Sequence, residues 1–172
     1  MSLEQLWAGW RSAYVSATEE GGTDPSILGA CVFCTIFTAD ATGAKQQVVH
    51  SGERAVVVLN AYPYTSGHVL VLPRRHVADL AELDEEEAAE LWRTMRQAVD
   101  AITAAYRPDG INLGANLGKA AGAGLPEHLH LHVLPRWQGD TNFMTTVAGA
   151  RVLPEPLGVS WEKLRAAWPG QT

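Results

Sequence analysis

The fold class the sequence predicts is α+β. Three observations carry it: Val-rich segments between 45 and 72 spaced as an antiparallel meander, one long capped helical pattern at 84–106, and a later strand-like run at 128–135. Strands together, then a long helix, then further strands is the order of an α+β chain rather than of repeated βαβ units.

Taken in order, Leu3, Leu6, Trp7, Trp10 and Tyr14 fall at helical spacing and predict an amphipathic N-terminal helix over 3–17, with both tryptophans as core packing. Glu19 to Pro25, with Gly21-Gly22 and Asp24-Pro25, reads as a loop. Strands are expected at Lys45–His50 and Arg54–Leu59, around a turn at Ser51-Gly52-Glu53, and at Gly67–Leu72 after a loop, Asn60–Ser66, punctuated by Pro63. Arg75 to Leu83 is a short helix or turn. A helix follows over Asp84–Tyr106: Asp84 caps it, Glu87 completes the capping box, and Leu91, Trp92, Met95, Val99, Ile102 and Tyr106 form its apolar stripe. Pro108 and Gly110 end it. A strand at Ile111–Ala115 leads into the glycine-rich stretch Gly114 to Gly124. From about 137 onward a C-terminal extension holds a loop, the segment Arg151-Val152-Leu153 and a helix from Ser160 to Trp168.

The 172 residues suit one domain over 1–172, large enough to bury a core. Hydrophobic content of 47% with 19% charged residues is ordinary for a soluble globular protein. A formal charge of −6 argues against nucleic acid as a partner, since non-specific binding needs a basic footprint. The N-terminus lacks the basic-then-apolar pattern of a signal peptide, and the apolar runs are strand-sized, so no membrane partner and a cytoplasmic location are expected.

The chemistry concentrates in His128-Leu129-His130-Leu131-His132-Val133-Leu134-Pro135. A strand sends alternate side chains to opposite faces, so three imidazoles share one face while Leu129, Leu131 and Val133 point into a core. Imidazoles on such a row lie about 6.5–7 Å apart, close enough for a metal ligand, a nucleophile and a proton donor to serve one substrate. A solvated polar face would be met by Thr, Lys or Glu, whereas histidine changes charge near neutral pH. The glycine-rich stretch just before the row offers close-approach backbone amides to phosphate, with Lys119 either adding charge or solvated. It lacks the Gly-Lys-Ser/Thr ending of a P-loop. Val56, Val57, Val58 and Leu59 suit a nucleobase wall or a plain core strand equally.

Both cysteines, Cys31 and Cys34, are spaced Cys-x-x-Cys. That spacing supplies two thiolates to a zinc site, whose remaining ligands would come from among His50, His68, His76 and the histidine row. The alternatives are a redox pair, which is expected after a strand and at the opening of a helix, and a pair of inert thiols.

The run His128–Leu134 resembles the signature of the histidine triad family, His-φ-His-φ-His-φ-φ with φ apolar. Asn60 with Ser66-Gly67-His68-Val69-Leu70-Val71-Leu72-Pro73 resembles that family's first core strands. Leu6-Trp7, the Cys-x-x-Cys and Pro135-Arg136-Trp137-Gln138-Gly139-Asp140-Thr141-Asn142-Phe143-Met144 resemble its branch similar to bacterial diadenosine tetraphosphate phosphorylase. The likeness spans about 3–157 and implies a five-stranded antiparallel sheet with one long helix and shorter flanking helices, usually as a homodimer. It implies an enzyme that transfers nucleotidyl groups through a covalent nucleotidyl-histidine, most simply by phosphorolysis of a dinucleoside polyphosphate. A hydrolase of dinucleotides or nucleoside phosphoramidates, and a low-turnover nucleotide sensor, are the alternatives. Residue by residue, the resemblance implies His130 as nucleophile, His132 as the phosphate-contacting and leaving-group histidine, and His68 as support for the catalytic face. It implies Asn60 at the ribose, and Asn116 and Gly124 at the phosphates. The same likeness implies structural zinc held by Cys31, Cys34, His76 and His128. One departure stands out: where many members carry Gln or a hydroxyl residue a few positions before the triad, this chain has Ala123 or Gly124, which leaves backbone amides to serve the α-phosphate.

Overall fold

Three consecutive Val-rich stretches pair as the meander requires, in a computed structural model that describes residues 31–38, 47–141 and 155–170. They are β1 (Val48–Ser51), β2 (Ala55–Leu59) and β3 (Val69–Pro73). With β4 (Gly110–Ala115) and β5 (Leu131–Arg136) they form a five-stranded sheet in the order β1-β2-β3-β5-β4, each neighbouring pair antiparallel. Every residue of β2 and β3 is buried, as befits inner strands covered on both faces. Around the sheet lie α1 (Val32–Thr38), α2 (Glu85–Tyr106) and α3 (Leu157–Ala166). These elements belong to the compact unit Ala30–Trp137 with Leu153–Thr172.

Alternation along the strands divides the core in two. Val57, Leu59, Val69, Val71 and Val133 face α2, where Leu91, Met95, Ala98 and Ile102 meet them, with Leu164 and Trp168 closing one side. Val56, Val58, Leu70 and Leu72 face the other way and pack on Phe33 of α1. The valine run of β2 thus serves both faces as a core strand.

Helix α2 begins as its sequence indicates. The Asp84 carboxylate accepts from the Glu87 N–H (2.7 Å) and Glu87 Oε2 accepts from the Asp84 N–H (3.0 Å). Glu87 is buried and accepts two further bonds from the Arg75 guanidinium, at 2.8 and 2.7 Å. Those bonds, with the Asp84 N–H, hold its carboxyl down to about 2. The helix ends where Arg107 turns left-handed (φ 46°) and donates its N–H to Thr103 O. Before α2, a single 3₁₀ turn at Leu80–Glu82, capped by Asp79, fills the region expected to be a short helix or turn.

Several sequence expectations are corrected. Trp92 does not join the buried stripe of α2; it is 60% exposed, because it lies next to Leu91, whose side chain takes the inward direction. Strand β5 begins at Leu131 rather than at His128. In register, Leu129 would oppose Pro73, which has no N–H to donate. The Pro73 carbonyl instead accepts from His128, and the Leu129 N–H donates to Val77 O at 2.6 Å. The C-terminal helix starts at Leu157, three residues earlier than expected. The expected helix over 3–17, the loop at 19–25 and the segment 151–153 lie outside the described residues. No described helix is long and apolar enough to cross a membrane.

Candidate functional site

The His row keeps its alternation even where the ladder stops. Leu129 and Val133 enter the α2-side core, while the three imidazoles gather on the α1 side of the sheet. Phe33 packs its ring against both His128 and His130, with centroids 5.5 and 5.6 Å away. The His130 and His132 rings meet edge to face at 5.1 Å.

Hydrogen bonds assign each imidazole its tautomer. His128 Nε2–H donates to Pro73 O (2.9 Å), so its Nδ1 lone pair points the other way. His130 Nδ1–H donates to the carbonyl of His128 (2.8 Å), which leaves the lone pair on Nε2. His68 Nδ1 accepts from the Tyr64 N–H (3.1 Å), so its proton sits on Nε2 and goes to His132 Nδ1 (3.0 Å). A neutral His132 therefore carries its own proton on Nε2. This face thus presents a lone pair on His130 Nε2 beside an N–H on His132 Nε2.

The free lone pair of His128 belongs to a second cluster. Its Nδ1 lies 3.3 Å from Cys31 Sγ and 3.7 Å from Cys34 Sγ, and His76 Nδ1 lies 3.5 Å from Cys34 Sγ. All four ligand atoms fall within 4.8 Å of one another. Metal–ligand bonds of about 2.0–2.3 Å in a tetrahedron set neighbouring S and N atoms about 3.5 Å apart, so the residues fit a tetrahedral ion. The Pro73 carbonyl is the outer partner that metal-bound imidazoles usually have. Burial first, then the nearby His76 and His130, holds His128 below the usual histidine range and so neutral, as a ligand must be. Burial first and the Cys31 thiol second push Cys34 up, a shift that a bound cation would oppose. The cysteines sit before and within the first turn of α1, a helix the sequence reading did not identify.

Other predicted residues are placed as follows. Asn60 Oδ1 accepts from the Tyr62 N–H (3.0 Å), and its amide nitrogen lies 3.3 Å from His68 Nδ1. Asn116 and Gly124 lie in the loop between β4 and β5, interrupted by the 3₁₀ turn Lys119–Ala121. Gly114 pairs with His132 across the ladder, and a Cβ there would meet nothing within 4 Å. His50, a candidate ligand by sequence, instead stacks on Trp168 with centroids 4.6 Å apart. Burial, partly opposed by Glu90, lowers its pKa. Phe33 and Tyr64 were missed by sequence reasoning. Phe33 was legible only as the residue enclosed by the Cys-x-x-Cys, and Tyr64, stacked 5.8 Å from His132, only as the neighbour of Pro63.

Comparison with known proteins agrees with this geometry. The HIT domain family matches residues 41–139. The AP-4-A phosphorylase of Mycobacterium tuberculosis is 38% identical over 170 residues, covering 98% of this chain and 86% of that one. Protein hit of Bacillus subtilis is 32% identical over 111 residues, 64% of this chain and 74% of its own. Among solved structures, a Zn-bound histidine triad family protein from Mycobacterium smegmatis superposes with a TM-score of 0.66 at 31% identity, covering 81% of this chain and 93% of that one. A hypothetical histidine triad nucleotide-binding protein of Sulfolobus tokodaii gives 0.65 at 30%, with 80% and 91% covered.

Proposed function

The chain belongs to the HIT domain family, and from that premise we propose that it is an enzyme of nucleotide metabolism that transfers a nucleotidyl group from a dinucleoside polyphosphate through His130. The observation that carries the reading is the pair of opposed tautomers, His130 with a lone pair on Nε2 beside His132 with its proton on Nε2.

In the first displacement His130 Nε2 attacks the α-phosphorus and a P–N bond forms. The bridging P–O bond breaks, and the departing oxygen takes the His132 Nε2 proton. With diadenosine tetraphosphate this releases ATP and leaves AMP on His130. In the second, an oxygen of inorganic phosphate attacks the same phosphorus as its proton passes to His132 Nε2, His130 leaves with its electron pair, and ADP forms. The His128 carbonyl stabilises the positive charge that His130 carries while bonded to phosphorus. His68 holds His132 in the donating tautomer, Asn60 serves the ribose, and Asn116 and the amides around Gly124 serve the phosphates. The AP-4-A phosphorylase similarity favours phosphate as acceptor. Without phosphate, diadenosine tetraphosphate cleavage is expected to stop after one AMP per chain, and added phosphate to yield equal ADP and ATP. Steady phosphate-independent release of AMP would instead identify a hydrolase, the outcome that the missing Gln-type side chain at Ala123 and Gly124 makes worth testing.

The Cys31, Cys34, His76 and His128 cluster would hold zinc, with all four positions filled by protein and none left for water. Zinc there would supply charge neutralisation for two thiolates and rigidity for α1 and the start of the His row. A homodimer is supported by the edge strand β4, whose exposed Leu113 lies on the same sheet face as α2, and by the exposed Trp92 on α2. Two such surfaces facing each other would cover both side chains. Sedimentation velocity is expected to show twice the chain mass, and Trp92→Glu to shift it toward one.

A further inference from the structure

Helix α2 ends on Tyr106, and the ring of that tyrosine lies flat against the backbone at Gly67. A Cβ added there would fall 2.6 Å from Tyr106 Cε2 and 3.0 Å from Cζ. Gly67 has φ +82°, so two independent restraints require glycine immediately before His68. His68 is wholly buried, its N–H donates to Thr65 O, and its Nε2–H reaches His132. The same tyrosine ring meets Trp137, the first residue after β5, edge-on at 6.2 Å. Tyr106 therefore touches Gly67, the residue before His68 at the lead into β3, and Trp137, at the exit from β5, the strand that carries His132.

The far end of Tyr106 is anchored. Its hydroxyl donates to Glu155 Oε1, which also accepts from Ser160 Oγ at 2.7 Å. Lys163 pairs with Glu155 Oε2 and sits 5.3 Å from the Tyr106 ring centroid. Burial first, then the Glu155 carboxylate, raises the Tyr106 phenol far above its usual range, so it remains a donor at every working pH. Burial pushes Glu155 up, but its bonds from Lys163, Tyr106 and Ser160 outweigh that and keep it ionised.

We propose that Tyr106, held by Glu155 of the C-terminal segment, is a positioning residue that sets His68 and so keeps His132 oriented to donate its proton. This rests on the reading of His132 as the leaving-group donor. The test compares Tyr106→Leu, Tyr106→Phe and Glu155→Gln with the unaltered protein, well below their melting temperatures. In Tyr106→Leu, kcat is expected to fall about 10- to 100-fold with KM within about threefold, the loss expected of a slightly misplaced catalytic group. Tyr106→Phe and Glu155→Gln are expected to show smaller losses of the same kind. Long-range ¹H–¹⁵N correlation spectra are expected to show His68 wholly as the Nε2–H tautomer in the unaltered protein and as a mixture in Tyr106→Leu. Should Tyr106→Leu fail to fold, Tyr106→Phe, which frees the ring from Glu155, decides the matter through the same two readouts. The proposal is overturned if the folded variants keep the single His68 tautomer, or keep kcat, while losing only thermal stability. If the unaltered protein cleaves no dinucleotide, the proposed reaction fails by itself and the His68 spectra alone decide the positioning role.

Discussion

Replacing His130 by alanine is expected to lower dinucleotide cleavage by about 10⁴-fold or more, the scale on which an enzyme loses rate when its nucleophile is removed. The expectation follows from position as much as chemistry. His130 Nε2 is the lone-pair nitrogen because Nδ1 is committed to the His128 carbonyl. The variant is expected to fold, since His130 lies outside the β5 ladder and its bond goes to a carbonyl two residues away. Metal content is also expected to be unchanged, because the four ligands are other residues. Steady-state rates, circular dichroism and metal analysis of one preparation check all three. A His130→Ala protein that cleaves at the original rate would remove the nucleophile from the scheme.

Metal removal is expected to be the largest stability effect. If zinc is held at about 1,000 times its Kd, its loss costs about 4 kcal/mol. For a chain of this size that corresponds to a melting temperature lower by about 8–16 °C. Chelation, or Cys34→Ser, is expected to produce this shift, and calorimetry before and after reloading zinc measures it. Turnover is expected to fall as well, by about tenfold, because His128 offers both a nitrogen to the proposed metal site and the carbonyl that accepts from His130. Phe33 adds to this coupling: it sits between the two cysteines and packs on both rings. A protein isolated with far less than one metal per chain, and unmoved by chelator, would contradict the site.

The parts of the molecule legible in its sequence are those governed by local rules. Alternation placed the imidazoles of 128–132 on one face and Leu129 and Val133 on the other. The Asp84–Glu87 capping box is present with both of its bonds. What local rules could not reach is long-range. Strand β5 inserts between β3 and β4, and nothing in residues 131–136 alone selects those partners. The stop in the ladder at Leu131 depends on Pro73, more than fifty positions earlier. Spacing left the partners of Cys31 and Cys34 open among several histidines, and folding brings His76 and His128 to them while sending His50 to Trp168. Trp92 was misread because periodicity marks a stripe without marking where the stripe ends. The Tyr106–Glu155 anchor joins residues 49 positions apart and leaves no pattern in either segment.

Brief mixing of the protein with diadenosine tetraphosphate in phosphate-free buffer, acid quenching avoided, followed by intact and peptide mass spectrometry, puts the covalent step directly to the test. One AMP per chain on the peptide containing residues 128–132, fragmenting to His130 and disappearing on addition of phosphate, is the expected result. Cleavage proceeding at full rate with no adduct, or with AMP attached to any other residue, would contradict it.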